Sequence, residues 1–250
     1  AEGLLSPYAD GSTVPPEMEE MALARLRQLS AHEVGHTIGL AHSYASSAEG
    51  RASVMDYPHP LAELKDGKID LSNAYDDKIG AWDKVAVEYG YQDFPKDVDE
   101  AKALNNIIQY GFDQGLTFLS DQDARPQGGA HPYAHLWDNG KNAPEELTRV
   151  LAVRQVALKN FGEKSIKSGE PYANIEEVLV PIYFFHRYQT EAAVKLIGGL
   201  NYRYALRGDG QLITEVVSKV EQEKALQALL MTISAGQLIL PEELLKLIPP

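Results

Sequence analysis

Cysteine is absent, which excludes disulfides, thiolate nucleophiles and cysteine-based metal sites. Long apolar runs are absent too. The longest, Val178–Phe185, is interrupted by Pro181, whereas a membrane-spanning helix needs about 20 apolar residues, so no membrane span is expected. Positive charge is scarce: 23 Lys and Arg stand against 36 Asp and Glu, a formal net charge of −13. Such a surface repels phosphate backbones, so nucleic acid is not an expected partner. The first residues show no initiator Met, basic n-region or apolar signal core, so either a leader has been removed or the chain is a piece of a longer polypeptide. What remains is ordinary for a globular protein. Its 250 residues, 44% hydrophobic and 24% charged, suffice for one large domain or two small ones.

The pattern along the chain predicts a mainly α fold. Residues 1–15 read as an irregular lead-in. A helix is expected from Pro16 to about Leu40, with proline in its first turn and Glu17, Glu19 and Glu20 at its positive end. Residues 43–75 read as loop, and Asp76–Tyr89 as a second helix. Beyond a boundary near residue 94, helices are expected over Asp97–Gln109, Pro144–Phe161, Asn174–Leu196 with a kink at Pro181, Thr214–Thr232 and Pro241–Leu247. Leu116–Leu119 reads as extended, Ser120–Asn142 as a long polar and aromatic loop, and Leu200–Leu206 as strand-like, before a turn at Gly208–Gly210. The two expected regions are 1–93 and an α-helical 94–250.

One segment carries chemistry: His32-Glu33-Val34-Gly35-His36-Thr37-Ile38-Gly39-Leu40-Ala41-His42. Histidines four apart on a helix share a face, so two ring nitrogens can reach one metal at about 2.0–2.1 Å. Glu33 lies slightly round the helix, placed to hold the metal's water without ligating. Gly39 permits a sharp helix end, and the turned chain can return His42 as third donor. Three protein ligands leave one position open, as a catalytic zinc site requires. These five fixed positions arise by chance in roughly one chain in 10⁵ of this length, which sets aside ordinary surface histidines.

Met55, thirteen residues after His42, lies in the segment Ser53-Val54-Met55-Asp56-Tyr57. With it, the sequence resembles the metzincin metallopeptidases, in which a methionine-containing turn follows the extended zinc motif. The resemblance implies Zn²⁺ on His32, His36 and His42, Glu33 as general base, and Met55 as an apolar floor that does not bind the metal. It gives Tyr57 the role of the tyrosine in astacin- and serralysin-like members, which donates a hydrogen bond to the tetrahedral intermediate. Ser43 matches the matrix-metalloproteinase pattern instead, and this mixture assigns the chain to no single one of these subfamilies. The sheet that normally precedes such a helix is largely missing, since only 31 residues precede His32, which favours reading the chain as a C-terminal piece of a longer polypeptide. The stretches HPYAHLWDNG (131–140), VLVPIYFFHRYQ (178–189) and LNYRYALRGDGQ (200–211) resemble a family of large bacterial zinc-dependent metalloproteases. That resemblance implies an exported or cell-envelope location, while the zinc-peptidase resemblance implies a peptide or protein substrate.

Other features have plainer readings. His131 and His135 are also four apart, near Asp121, Asp123 and Asp138, but Pro132 and Gly128-Gly129 oppose a helix, so they read as a loop ordered by Tyr133 and Trp137. His186 reads as a buried histidine, His59 as a loop residue, and Arg207-Gly208-Asp209 as a turn. The expected activity is hydrolysis of peptide bonds by a zinc endopeptidase. The alternative is a non-catalytic binding module with structural zinc, against which Glu33 speaks, or a fragment unable to cleave without its upstream sheet.

Overall fold

Pro15 and Pro16 open the helix that carries the histidines, because proline needs no intrahelical partner for its nitrogen in the first turn. A computed structural model of the chain describes residues 1–249 and is mainly helical, as the sequence implies. A single turn, α1 (Glu2–Leu5), interrupts the lead-in expected to be irregular. The histidine helix, α2, spans Pro16–Thr37. Its end is set by Gly39, whose φ of +87° is open to glycine without strain. Leu40 N donates to Gly35 O at 3.0 Å and Gly39 N to His36 O at 3.0 Å, the paired bonds of a Schellman stop.

The loop expected over 43–75 contains a hairpin, β1 (Glu63–Lys65) against β2 (Lys68–Asp70), with Leu64 opposite Ile69. Asp66 and Gly67 both have positive φ, the requirement of its two-residue turn. The second helix, α3 (Ala81–Tyr91), starts five residues later than expected. Residues before it are tied to Arg51, which donates to Asp76 Oδ1 at 2.9 Å and Asn73 O at 2.8 Å.

Next come α4 (Glu100–Asp113), a short α5 (Asp121–Ala124) inside the expected loop, and α6 (Ala143–Asn160). Leu116–Leu119 is extended but forms no ladder. The helix expected over 174–196 is two, α7 (Asn174–Tyr183) and α8 (Arg187–Val194), and the break lies after Pro181 rather than at it. Buried Arg154 supplies the reason: its Nε takes the Tyr183 carbonyl at 2.7 Å, removing an acceptor that would continue the helix. A second hairpin pairs β3 (Leu200–Tyr202) with β4 (Thr214–Val216), so the first residues expected in the 214–232 helix are strand. That helix, α9, spans Lys219–Thr232, and Ser218 Oγ accepts from Glu221 N at its start. Two short turns, α10 (Ala235–Leu238) and α11 (Glu242–Leu245), follow.

The main core draws on α6 and α7 through Val150, Val153, Ala157, Ile175 and Leu179, and it also takes Leu4, Ala62 and Leu71. Residues on both sides of position 94 therefore share it. A smaller cluster of Tyr44, Ala45, Leu119, Ala124, Ala134 and Leu136 positions the site. It fastens the chain just after His42 to the segment that carries α5, and Tyr44 N donates to Leu119 O at 2.8 Å.

Candidate metal centre

His32 and His36 project from the last turns of α2, and the Schellman stop swings His42 back towards them. His36 Nε2 lies 3.1 Å from His32 Nε2 and 3.2 Å from His42 Nε2. Ligands of a tetrahedral ion at 2.0–2.1 Å stand about 3.3 Å apart, so the spacing suits one zinc. Among the described residues, this is the one cluster of three or more His, Asp or Glu side chains whose atoms converge this way.

The other ring nitrogens decide what the cluster is for. His32 Nδ1 faces Val54 O at 2.7 Å, His36 Nδ1 faces Leu40 O at 2.9 Å, and His42 Nδ1 faces Asp121 Oδ2 at 2.8 Å. Each partner only accepts, so each Nδ1 carries the proton and each Nε2 presents a lone pair. Three lone pairs pointing together at 3.1–3.2 Å repel one another unless a cation lies between them. Burial lowers the pKa of His32, against the pull of the Val54 carbonyl, and keeps it in the neutral form that a metal requires.

Met55 is fully buried, and its Sδ occupies the space above Gly35: a Cβ at that position would sit 2.2 Å from the sulfur. Gly35 is thus the site at which helix and methionine turn make contact, although in the sequence it reads as a spacer. Ser43 N donates to Met55 O at 3.0 Å, joining the turn to the third ligand's loop. Buried Asp83, at the start of α3, holds the same turn from below. It accepts from Ser53 Oγ at 2.5 Å, Val54 N at 2.9 Å and Gly80 N at 2.7 Å. Gly80 permits the approach, since a Cβ there would lie 1.9 Å from Ala52 O. In the sequence, Asp83 is indistinguishable from an acid placed to favour a helix N-terminus.

Tyr57 stacks on His32 with ring centroids 5.1 Å apart and lies 4.8 Å from His42. The guanidinium of Arg125 sits 5.3 Å from the Tyr57 ring centroid, anchored by Asp121 and by Tyr44 Oη at 2.9 Å. Glu33 is exposed, bonds to no other side chain, and lies near enough to His32 to favour its protonated form. Asp121 completes the centre from 79 residues away. Burial opposes its ionisation, but hydrogen bonds from Arg125 and His42 outweigh that and hold its pKa down to about 2. Asp121 and Arg125 escape a sequence reading, because nothing local links them to α2.

A family model described as Met-zincin matches residues 15–249. The chain belongs to the Met-zincin family. The match spans both expected regions, and it places the chain among proteins of the zinc-metalloprotease kind. No curated protein and no solved structure matches the chain. Zinc is the ion the family implies, and the three converging imidazoles suit it in number, spacing and donor type.

The second histidine pair takes no part. His131 Nε2 meets Tyr202 O at 2.9 Å and its Nδ1 accepts from Tyr133 N at 3.1 Å, so His131 keeps no lone pair free, and buried His135 joins no converging cluster of three among the described residues. Asp123 accepts from the hydroxyls of Tyr202 and Tyr204, and Asp138 Oδ2 accepts from Ser47 Oγ at 3.1 Å.

Proposed function

We propose that this Met-zincin is an endopeptidase that hydrolyses peptide bonds with His32, His36 and His42 on zinc and Glu33 as general base. The observation that carries the reading is the set of three Nε2 lone pairs, fixed by Val54, Leu40 and Asp121, beside an exposed and uncommitted carboxylate. A purely structural ion is normally closed by four protein ligands, whereas three leave room for substrate.

Zinc, when bound, polarises the scissile carbonyl and acidifies the attacking water. Glu33 takes the proton from that water and delivers it to the leaving amine. Tyr57, held against His32 and His42, donates its hydroxyl hydrogen to the developing oxyanion in this reading, a role supported by its ring contacts with both histidines and by the Arg125 guanidinium beside it. Asp121 keeps His42 in the ligating tautomer and strengthens it as a donor. Met55 fills the space under the site, fixing α2 through Gly35.

Replacing Glu33 by Gln tests the assignment. Zinc content is expected to stay at one per chain while kcat falls about 10²–10⁴-fold. Peptide cleavage by E33Q at near wild-type rate would overturn the role.

A further inference from the structure

Within the HPYAHLWDNG stretch, Trp137 behaves unlike its neighbours. Leu136, Asp138 and Asn139 are buried, yet Trp137 is 39% exposed. Its backbone has φ +59°, a left-handed conformation that bulky residues avoid. Surrounding contacts impose it. Trp137 N donates to Tyr57 O at 2.7 Å, Asn139 N to Gln189 Oε1 at 3.1 Å, and Asn139 Nδ2 to His59 O at 3.0 Å. Strain that the surroundings maintain, on a residue whose ring is left partly in water, points to use of that ring.

The ring's location names the use. Trp137 lies 6.3 Å from Tyr57 at an interplanar angle of 20°, and 4.7 Å from Tyr188. Tyr57 in turn stacks on His32 and lies tilted against His42, so a continuous aromatic row runs from the clustered histidines to a partly exposed indole. We propose that Trp137, backed by Tyr188, is a specificity-determining subsite that takes an aromatic side chain of the substrate, one or two residues from the scissile bond. An indole face offers offset stacking to a flat ring and far less to a methyl group. Because Tyr57 O fixes the Trp137 amide, the subsite keeps a set distance from the reacting centre. This inference rests on the peptidase reading above.

The test uses binding rather than turnover. Dipeptide hydroxamates carrying Phe or Ala at the first or second residue from the chelating group are titrated calorimetrically into the zinc-loaded chain. Wild type is expected to favour Phe over Ala three- to ten-fold at one of the two positions. W137G is the informative variant, since glycine accepts the positive φ and keeps the loop while removing the ring. It is expected to hold one zinc and to bind both compounds alike, whereas W137F retains most of the preference. Equal affinities in wild type, or a preference surviving in W137G, would overturn the subsite and leave the peptidase reading intact. Failure of every hydroxamate to bind the zinc-loaded wild type would overturn both.

Discussion

His32 and His36 share their four-residue spacing with His131 and His135, and the two pairs end in opposite chemistry. The first pair rides on α2, where a regular helix stacks the rings on one face and carbonyl partners fix both Nδ1 protons. The second lies where Pro132 denies a helix. There His131 is protonated on Nε2 and uses its Nδ1 lone pair on a backbone amide, while His135 is buried with neither nitrogen paired. Burial pushes His131 and His135 down to about 4, which makes them neutral interior groups. A spacing has chemical meaning only on the backbone that converts it into direction. The tautomer, set by whatever the far nitrogen touches, then decides between ligand and core.

Breaking one pair at a time gives the largest contrast. His36→Ala is expected to take the chain from one bound zinc to none by elemental analysis, whereas His131→Ala leaves the zinc in place. Equal loss from both would erase the distinction. A smaller effect is expected at the acceptor that orients His42: Asp121→Ala is expected to weaken zinc affinity 10–100-fold in competition with a chelator. Unchanged affinity would mean that His42 needs no such partner.

Beneath the first pair, Gly35→Ala drives a Cβ into the Met55 sulfur and is expected to cost about 1–3 kcal/mol in chemical denaturation. Because the loss is shared by two touching groups, the double variant with Met55→Ala is expected to be less destabilised than the two single costs added. Additive costs would show that the contact is not the cause.

The smallest effect sharpens the other side. His135 has a folded pKa of about 4, below its unfolded value, so the unfolded chain binds the proton first and stability falls as pH drops from about 6.5 towards 4. His135→Leu is expected to be near neutral at pH 7, where it removes two orphaned nitrogens, and to spare about 1–2 kcal/mol of the loss between pH 7 and 5. Parallel pH profiles for the two proteins would refute this.

The convergence of the three histidines was legible because its geometry is local. Three histidines within eleven positions need only helical periodicity and one glycine stop to converge. Gly35 was visible but unread, although a glycine inside a helix costs roughly 1 kcal/mol against alanine and invites the question of what approaches it. The hairpin at 63–70 had a signal as well, Asp66-Gly67 between strand-like residues. Asp121, Arg125 and Asp83 had none. Their roles depend on packing of the Tyr44–Leu119 cluster and on the approach of Gly80 to Ala52, both long-range events. The break after Pro181 was misplaced for the same reason: a distant arginine, not the proline, claims the decisive carbonyl.

The bond from His42 to Asp121 also sets a timetable. At synthesis rates of about 5–20 residues per second, the acceptor reaches the growing chain roughly 4–16 s after the third ligand does. Until the segment carrying α5 has been made and packed against Tyr44, His42 has no carboxylate to orient it. The convergence of the three imidazoles is thus completed late in biogenesis, by a part of the chain that contributes none of them.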